Sequence, residues 1–296
     1  MEVLSIESIS KNYGKIQALK SVTFTVSTGT VFGILGPNGS GKTTLLGIVM
    51  DILQPTSGTF KLFSVNPVAD HRKQIGTLLE TPNFYHYLSG EENLRIAASI
   101  KERGTNDIHK VLTMVNLYER RSSKFSTYSL GMKQRLAIAS CLLGDPEVMI
   151  FDEPTNGLDP EGIAEIRELI KKLHHEGKTI IMASHLLDEV EKVCTHVAIL
   201  KKGNLLATGD VNEILVNEDI VEIGATDLGK LRSVIAMMEP KLNATENGQL
   251  LQLSYPVGKA RLDDINDHCF KHGLILNHLS LKKKSLETKF FELTNN

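Results

Sequence analysis

Cysteine is scarce in this chain of 296 residues, and the three present, Cys141, Cys194 and Cys269, stand alone without a CxxC pair. That excludes a zinc framework or a disulfide scaffold and reads as buried or incidental thiols in a reducing compartment. An excess of one charge is also missing. The formal net charge of -2 leaves no electrostatic footprint for nucleic acid, so no nucleic-acid partner is expected, and Lys282-Lys283-Lys284 reads as a solvated surface run. No apolar stretch approaches the ~18 residues that a membrane-spanning helix needs. The N-terminus opens on strand-like alternation rather than a basic stretch followed by an apolar one, so no secretory signal is read. The protein is therefore expected in the cytoplasm or on a surface facing it, where the sequon Asn243-Ala244-Thr245 has no meaning.

What is present is a folded composition, 41% hydrophobic and 23% charged, in a chain long enough for one large α/β domain and a smaller appendage. The most specific stretch is Val31-Phe32-Gly33-Ile34-Leu35-Gly36-Pro37-Asn38-Gly39-Ser40-Gly41-Lys42-Thr43-Thr44. An apolar strand runs into a glycine-rich turn, and Leu45, Leu46, Ile48 and Val49 continue it as a helix. Gly36 to Thr43 satisfies every fixed position of GxxxxGK[ST], a loop that holds phosphates. The chemistry follows from the residue types. Backbone N–H groups at a helix N-terminus attract anions, and glycines let the chain curl close. Lys42 reaches the terminal phosphates as a point charge, and the Thr43 hydroxyl can ligate the Mg²⁺ that neutralises them.

Along the chain, Val3–Ile6 and Val22–Val26 read as strands around a Lys11–Gly14 turn. Short strands follow at Thr59–Phe63, after the Pro55–Gly58 breaker, and at Gln74–Leu79. Residues 85–143 carry helical periodicity, including a helix from about Gly90 to Lys101, and read as an insertion between strands of the core. Inside it, Ser129 is a candidate N-cap for a helix with one apolar face formed by Leu136, Ile138, Ala139, Leu142 and Leu143. Val148–Phe151 is a continuous apolar run, suited to a central parallel strand, and it ends in Asp152 and Glu153. Carboxylates at a strand's C-terminal end lie where open α/β sheets bind ligands, so Asp152 can help hold Mg²⁺ and Glu153 can deprotonate a water. Thr179–Ser184 repeats that pattern and ends in His185, and a strand pair at Val197–Leu200 and Leu205–Thr208 closes the core. Residues 216–296 read as an α+β appendage. Its strands are expected at Ile220–Ile223, Leu250–Leu253 and Leu274–Leu279, its helices at Leu228–Met238 and Ala260–Lys271, and a last amphipathic turn at Ser285–Leu293.

The order of these motifs resembles the nucleotide-binding domain of ABC transporters over residues 1–215. The resemblance implies a P-loop NTPase with a RecA-like core, N-terminal antiparallel strands, a helical insertion and a small C-terminal α+β domain at 216–296. It implies ATP and Mg²⁺ as ligands, with Tyr13 stacking on adenine and Gly36, Asn38, Gly39, Ser40, Gly41, Lys42, Thr43 and Thr44 forming the Walker A phosphate loop. Asp152 closes Walker B, Glu153 matches the catalytic glutamate, Asn156–Asp159 resembles the D-loop and His185 the switch histidine. Ser129 and Gly131 match the signature motif, but Leu130 and Met132 replace its glycine and glutamine. Glu80 stands where the family has the glutamine of the Q-loop, and as a carboxylate near Mg²⁺ it can only accept hydrogen bonds. This combination, with the Ser285–Leu293 ending, is similar to the bacitracin and lantibiotic resistance subfamily of drug exporters.

That resemblance implies a homodimer, or a pairing with a paralogous ATPase, in which each nucleotide lies between one chain's phosphate loop and the other's signature. It also implies separate transmembrane permease subunits, placing the chain on the cytoplasmic face of the membrane. The loop Glu80–Glu91, with Phe84, Tyr85, Tyr87 and Leu88, and the helical insertion are where the family receives them. The competing reading is an ABC-type ATPase acting on a macromolecular or scaffold partner without transport. A small GTPase is excluded, because no [NT]KxD motif follows the core.

Overall fold

Strands form where apolar residues run unbroken or alternate, and helices where a cap or a proline opens a periodic stretch. The computed structural model describes residues 1–79, 83–214, 218–238, 243–256, 258–283 and 290. Glu80 and nearly all of Ser285–Leu293 therefore lie outside the described residues. The chain divides into two compact units, Met1–Val211 and Asn212–Asn296.

In the first unit, β1 (Glu2–Tyr13) and β2 (Ile16–Ser27) form a hairpin, followed by β3 (Val31–Leu35), α1 (Lys42–Val49), β4 (Ser57–Leu62), α2 (Ala69–Lys73) and β5 (Ile75–Leu78). The helical stretch holds α3 (Gly90–Lys101), α4 (Ile108–Met114) and α5 (Leu130–Leu142). Then come β6 (Val148–Asp152), α6 (Pro160–His175), β7 (Thr179–Ser184), α7 (Leu187–Val193), β8 (His196–Lys201) and β9 (Asn204–Asp210), and the single turn α8 (Val211–Ile214) spans the boundary between the units in the sequence.

Two sheets carry this unit. β2-β1-β4 is antiparallel, and the second sheet runs β5-β6-β7-β3-β8-β9, parallel except for the β8–β9 pair. Every residue of β3, β6 and β7 is buried, as expected of parallel strands covered on both faces. One core joins the two sheets through α1: Ile6, Phe24 and Val26 meet Phe32, Leu45 and Ile48, and the Phe24 and Phe32 rings stack at 5.2 Å.

The single apolar face read for α5 is a fuller enclosure in the structure. Leu136, Ala137, Ile138 and Ala139 are buried in succession because α5 is wedged between α3, α4 and β5. A methyl group on Gly76 of β5 would stand 2.5 Å from the Cys141 carbonyl oxygen, so the strand needs a glycine at that approach.

The second unit contains β10 (Glu218–Ala225), α9 (Leu228–Ile235), β11 (Asn243–Asn247), β12 (Leu250–Pro256), α10 (Leu262–Lys271) and β13 (Leu276–Lys283). Its sheet is antiparallel in the order β11-β12-β10-β13, the split βαβ arrangement of ferredoxin-like folds. Val221, Ile223, Leu251 and Leu253 point to one face and pack on Leu231, Val234, Ile265 and Cys269 of the helices. Strand β11 was not anticipated from the sequence, since its polar residues show no alternation.

Candidate functional site

Strand order determines which side chains meet. β6, β7 and β3 are consecutive in the sheet, and Asp152 pairs with Ala183 while Leu35 pairs with Ser184. Strand neighbours lie about 4.8 Å apart, so the Walker-type acids, His185 and the glycine loop emerge side by side at one sheet end.

The loop after β3 is held by close contact. Gly36 has φ +155, and a methyl group there would strike the Leu200 carbonyl oxygen and stand 2.5 Å from Ser40 Oγ. Gly41 has φ +109 and would meet the Ala18 carbonyl oxygen at 2.7 Å. A side chain at either position would prise the loop from β2 and β8. Helix α1 begins directly at Lys42 with no side-chain cap, so its first N–H groups remain available to an anion. Ser40 Oγ is buried and makes no hydrogen bond among the described residues, a second polar group placed for a ligand.

Lys42 is 6% exposed, and its Nζ donates to the Gly36 and Pro37 carbonyls at 2.7 and 3.4 Å. It also pairs with Glu153 Oε1 at 3.3 Å. The other Glu153 oxygen lies 2.8 Å from His185 Nδ1. Glu153 has φ +49, and its backbone N–H donates to the Ala183 carbonyl at 3.0 Å, which holds the carboxylate across β7. Lys42, Glu153 and His185 thus form one connected cluster, assembled from positions far apart in the chain.

The other sequence-read residues take separate places. Asp152 ends β6 at 4% exposure, and Thr43 occupies the first turn of α1. These are hard oxygen donors, and Mg²⁺ commonly takes one or two such protein ligands together with substrate phosphates, so they fit that ion. Asn38, Gly39 and Thr44 lie in the loop and the helix start, and a methyl group on Gly39 would meet nothing within 4 Å. Tyr13 is half-exposed at the end of β1, with Lys11 Nζ 5.1 Å from its ring centre.

Ser129 and Gly131 are not in the Lys42 cluster. They line a cleft with Arg135, Gly157, Leu158 and Asp159, at the junction of α5 and the start of α6. Ser129 caps α5, its Oγ accepting from Met132 N at 3.3 Å. Asp159 caps α6 in the same way, accepting from Gly162 N at 2.9 Å.

Two supports were not legible in the sequence. Arg167 of α6 grips Glu189 of α7 with two bonds of 2.9 Å, which secures the helix that follows His185. Buried Asn93 of α3 both donates to and accepts from Tyr85, at 3.1 and 2.8 Å, and so pins the aromatic loop. Neither contact has a signature at a fixed spacing.

The family model described as ABC transporter matches residues 19–156. The bacitracin transport ATP-binding protein BcrA of Enterococcus faecalis is 34% identical over 303 residues, covering 98% of this chain and 96% of that protein. The chain belongs to the ABC transporter ATP-binding family. BcrA of Bacillus licheniformis is 40% identical over 302 residues, covering 98% of this chain and 97% of its own. Among solved structures, cbiO1 from Clostridium perfringens, described as part of the ABC transporter complex cbiONQ, superposes with a TM-score of 0.66 at 29% identity. That match covers 80% of this chain and 96% of cbiO1. As an ABC ATP-binding protein the chain has the P-loop NTPase fold and is an ATPase, and the bacitracin and drug-export subfamily read from its motifs agrees with its BcrA relatives. Among the described residues no helix is long and apolar enough to cross a membrane.

Proposed function

We propose that this protein is the ATP-binding and hydrolysing subunit of a membrane exporter of antimicrobial peptides, working as a head-to-tail dimer on the cytoplasmic face of the membrane. The observation that carries the chemistry is the Lys42–Glu153–His185 cluster at the ends of β3, β6 and β7. The substrate class rests on similarity to two BcrA proteins that extends through the second unit.

In this reading Lys42 exchanges Glu153 for the phosphate oxygens of ATP. That releases Glu153 Oε1 to accept a proton from the attacking water while Oε2 keeps its bond to His185, which orients the base. The N–H groups at the start of α1 and the Ser40 hydroxyl bind phosphate, and Tyr13 stacks on the adenine. Thr43 and Asp152 would hold Mg²⁺, and Glu80 is proposed as a further ligand on the strength of its place in the motif order. When bound, Mg²⁺ supplies charge neutralisation for the phosphates. Ser129 and Gly131 of a second copy complete the site from across the dimer, since this chain keeps them on a separate cleft.

The membrane subunits dock on the aromatic loop and α3. Phe84, Tyr85, Ile96 and Ile100 line one groove there, and Tyr85, Tyr87 and Ile100 are exposed at 51, 69 and 79%, more apolar surface than a loop bears without a partner. Coexpression with the membrane proteins of its genomic neighbourhood tests the reading. The expected result is copurification and Lys42-dependent resistance to a bacitracin-type peptide. Failure to associate with any membrane protein would contradict it.

A further inference from the structure

Tyr13 ends β1 beside a tight hairpin turn, and it is 45% exposed, so a flat ligand can stack on its ring. Lys11, two residues earlier, places its ammonium 5.1 Å from the ring centre, within cation–π range. That ammonium is itself held, because Lys11 Nζ donates to the Gln54 carbonyl at 2.7 Å. The backbone fixes the cation, and the cation fixes the ring.

Residues 54–56 brace the same strand end twice more. Asn12 N donates to Thr56 Oγ1 at 2.9 Å, and Thr56 N donates to the Ser10 carbonyl at 2.8 Å. The brace continues to α1. Gln54 Nε2 donates to Asp51 Oδ1 at 2.7 Å, and the N–H groups of Ile52 and Leu53 both donate to the Gly47 carbonyl, at 2.9 and 3.1 Å. On its other side Lys11 pairs with Leu19 of β2, and a methyl group on Gly41 would stand 2.7 Å from Leu19 Cδ2. Lys11 thus lies one strand away from the phosphate loop and is tied to the helix that follows the loop.

We infer that Lys11 is a positioning residue for the nucleotide base, holding Tyr13 as a preformed platform. The inference rests on the reading above in which Tyr13 stacks on adenine. Attraction between the ammonium and the electron-rich face of the ring keeps the ring in place in the free protein, so less ordering remains when a nucleotide binds. The contribution is confined to the base, because the phosphates are held by Lys42 and the N–H groups that open α1. It therefore appears in ground-state binding, as a change of KM at constant kcat.

The test is steady-state ATP hydrolysis by the full chain, with inorganic tripolyphosphate as a competing inhibitor, in the native protein, Lys11→Met, Lys11→Arg, Tyr13→Ala and the double variant Lys11→Met/Tyr13→Ala. Lys11→Met should raise KM for ATP about two- to fivefold, the worth of an exposed cation–π contact, while kcat and inhibition by tripolyphosphate stay unchanged. Lys11→Arg keeps a cation and should remain near native. In the Tyr13→Ala background Lys11→Met should have no further effect, since the ring it holds is gone. Equal weakening of tripolyphosphate, or the same loss with Tyr13 absent, means that Lys11 acts on the phosphates or on the strand and overturns the inference. An unchanged KM in Tyr13→Ala defeats the adenine reading and this inference together. A raised KM in Tyr13→Ala with an unchanged KM in Lys11→Met leaves the adenine reading standing and defeats this inference alone.

Discussion

The two units of this chain bury charge in different places. In the first, Lys42, Asp152 and Glu153 gather at the C-terminal ends of parallel strands, where the sheet stops and a ligand can enter. In the second, Glu222 sits in the middle of an antiparallel strand, between Val221 and Ile223, which face the helices. It therefore lies on the opposite face of the sheet, yet it is only 5% exposed. Both of its oxygens are occupied from within that unit, Oε1 by Gln252 at 3.1 Å and Oε2 by Lys282 at 2.7 Å. The contrast separates a partly buried carboxylate at a strand end from a buried one within a strand. In the proposed mechanism Glu153 trades one partner for a substrate, whereas Glu222 keeps its partners and organises a sheet face.

Substitutions can break this comparison, and the largest effect is expected at the base. Glu153→Gln should lower phosphate release about 10²- to 10⁴-fold, the usual span for loss of a general base, and normal turnover would place the base elsewhere. Lys42→Ala should cost about 10²- to 10³-fold by removing a preorganised charge at the phosphates, read by the same assay and by weakened ATP binding.

Lys282→Met should leave hydrolysis near native but destabilise the second unit by about 1–3 kcal/mol, since a hydrogen bond to a charged group is lost. The hydrogen bond from Lys282, with that from Gln252, holds the Glu222 carboxyl below its ordinary value of 4.5. A lowered folded-state value means that the stabilisation is present above the unfolded value and disappears as pH falls through the folded one. Denaturation of Lys282→Met and the native chain should therefore differ at neutral pH and converge in acid below that range. An undiminished difference in acid would remove Glu222 from the account.

The smallest effect concerns the thiols. Burial raises Cys141 to about 12 and also raises Cys194 and Cys269, so the native chain should resist alkylation at neutral pH while the unfolded chain reacts. Rapid native labelling would contradict that burial.

The legible parts of the fold and site were those in which one local run holds the whole signal. The glycine loop is contiguous, and the strands ending at Asp152 and Ser184 are apolar throughout, so the nearness of Glu153 and His185 follows once parallel order is assumed. Other features are set by tertiary context. Strand β11 is polar and is held at a sheet edge by pairing with β12 across a turn at Gly248. Helix α2 has no buried residue and therefore no apolar face to betray it. The Lys42–Glu153 pair joins residues 111 positions apart, and the Arg167–Glu189 clamp joins two helices, with no periodicity linking either pair. The bond from Lys11 to the Gln54 carbonyl was invisible for the same reason: the sequence showed an aromatic turn but not what braces it.

If each ATP site is composite, two chains defective in different halves of it should complement one another. Lys42→Ala and Ser129→Ala chains should each be inactive alone. In a mixed dimer, the phosphate loop of the Ser129→Ala chain faces the intact signature of the Lys42→Ala chain, so one complete site is regenerated. Mixing the two inactive proteins should therefore restore ATP hydrolysis. A mixture that forms dimers with ATP but stays inactive would contradict it.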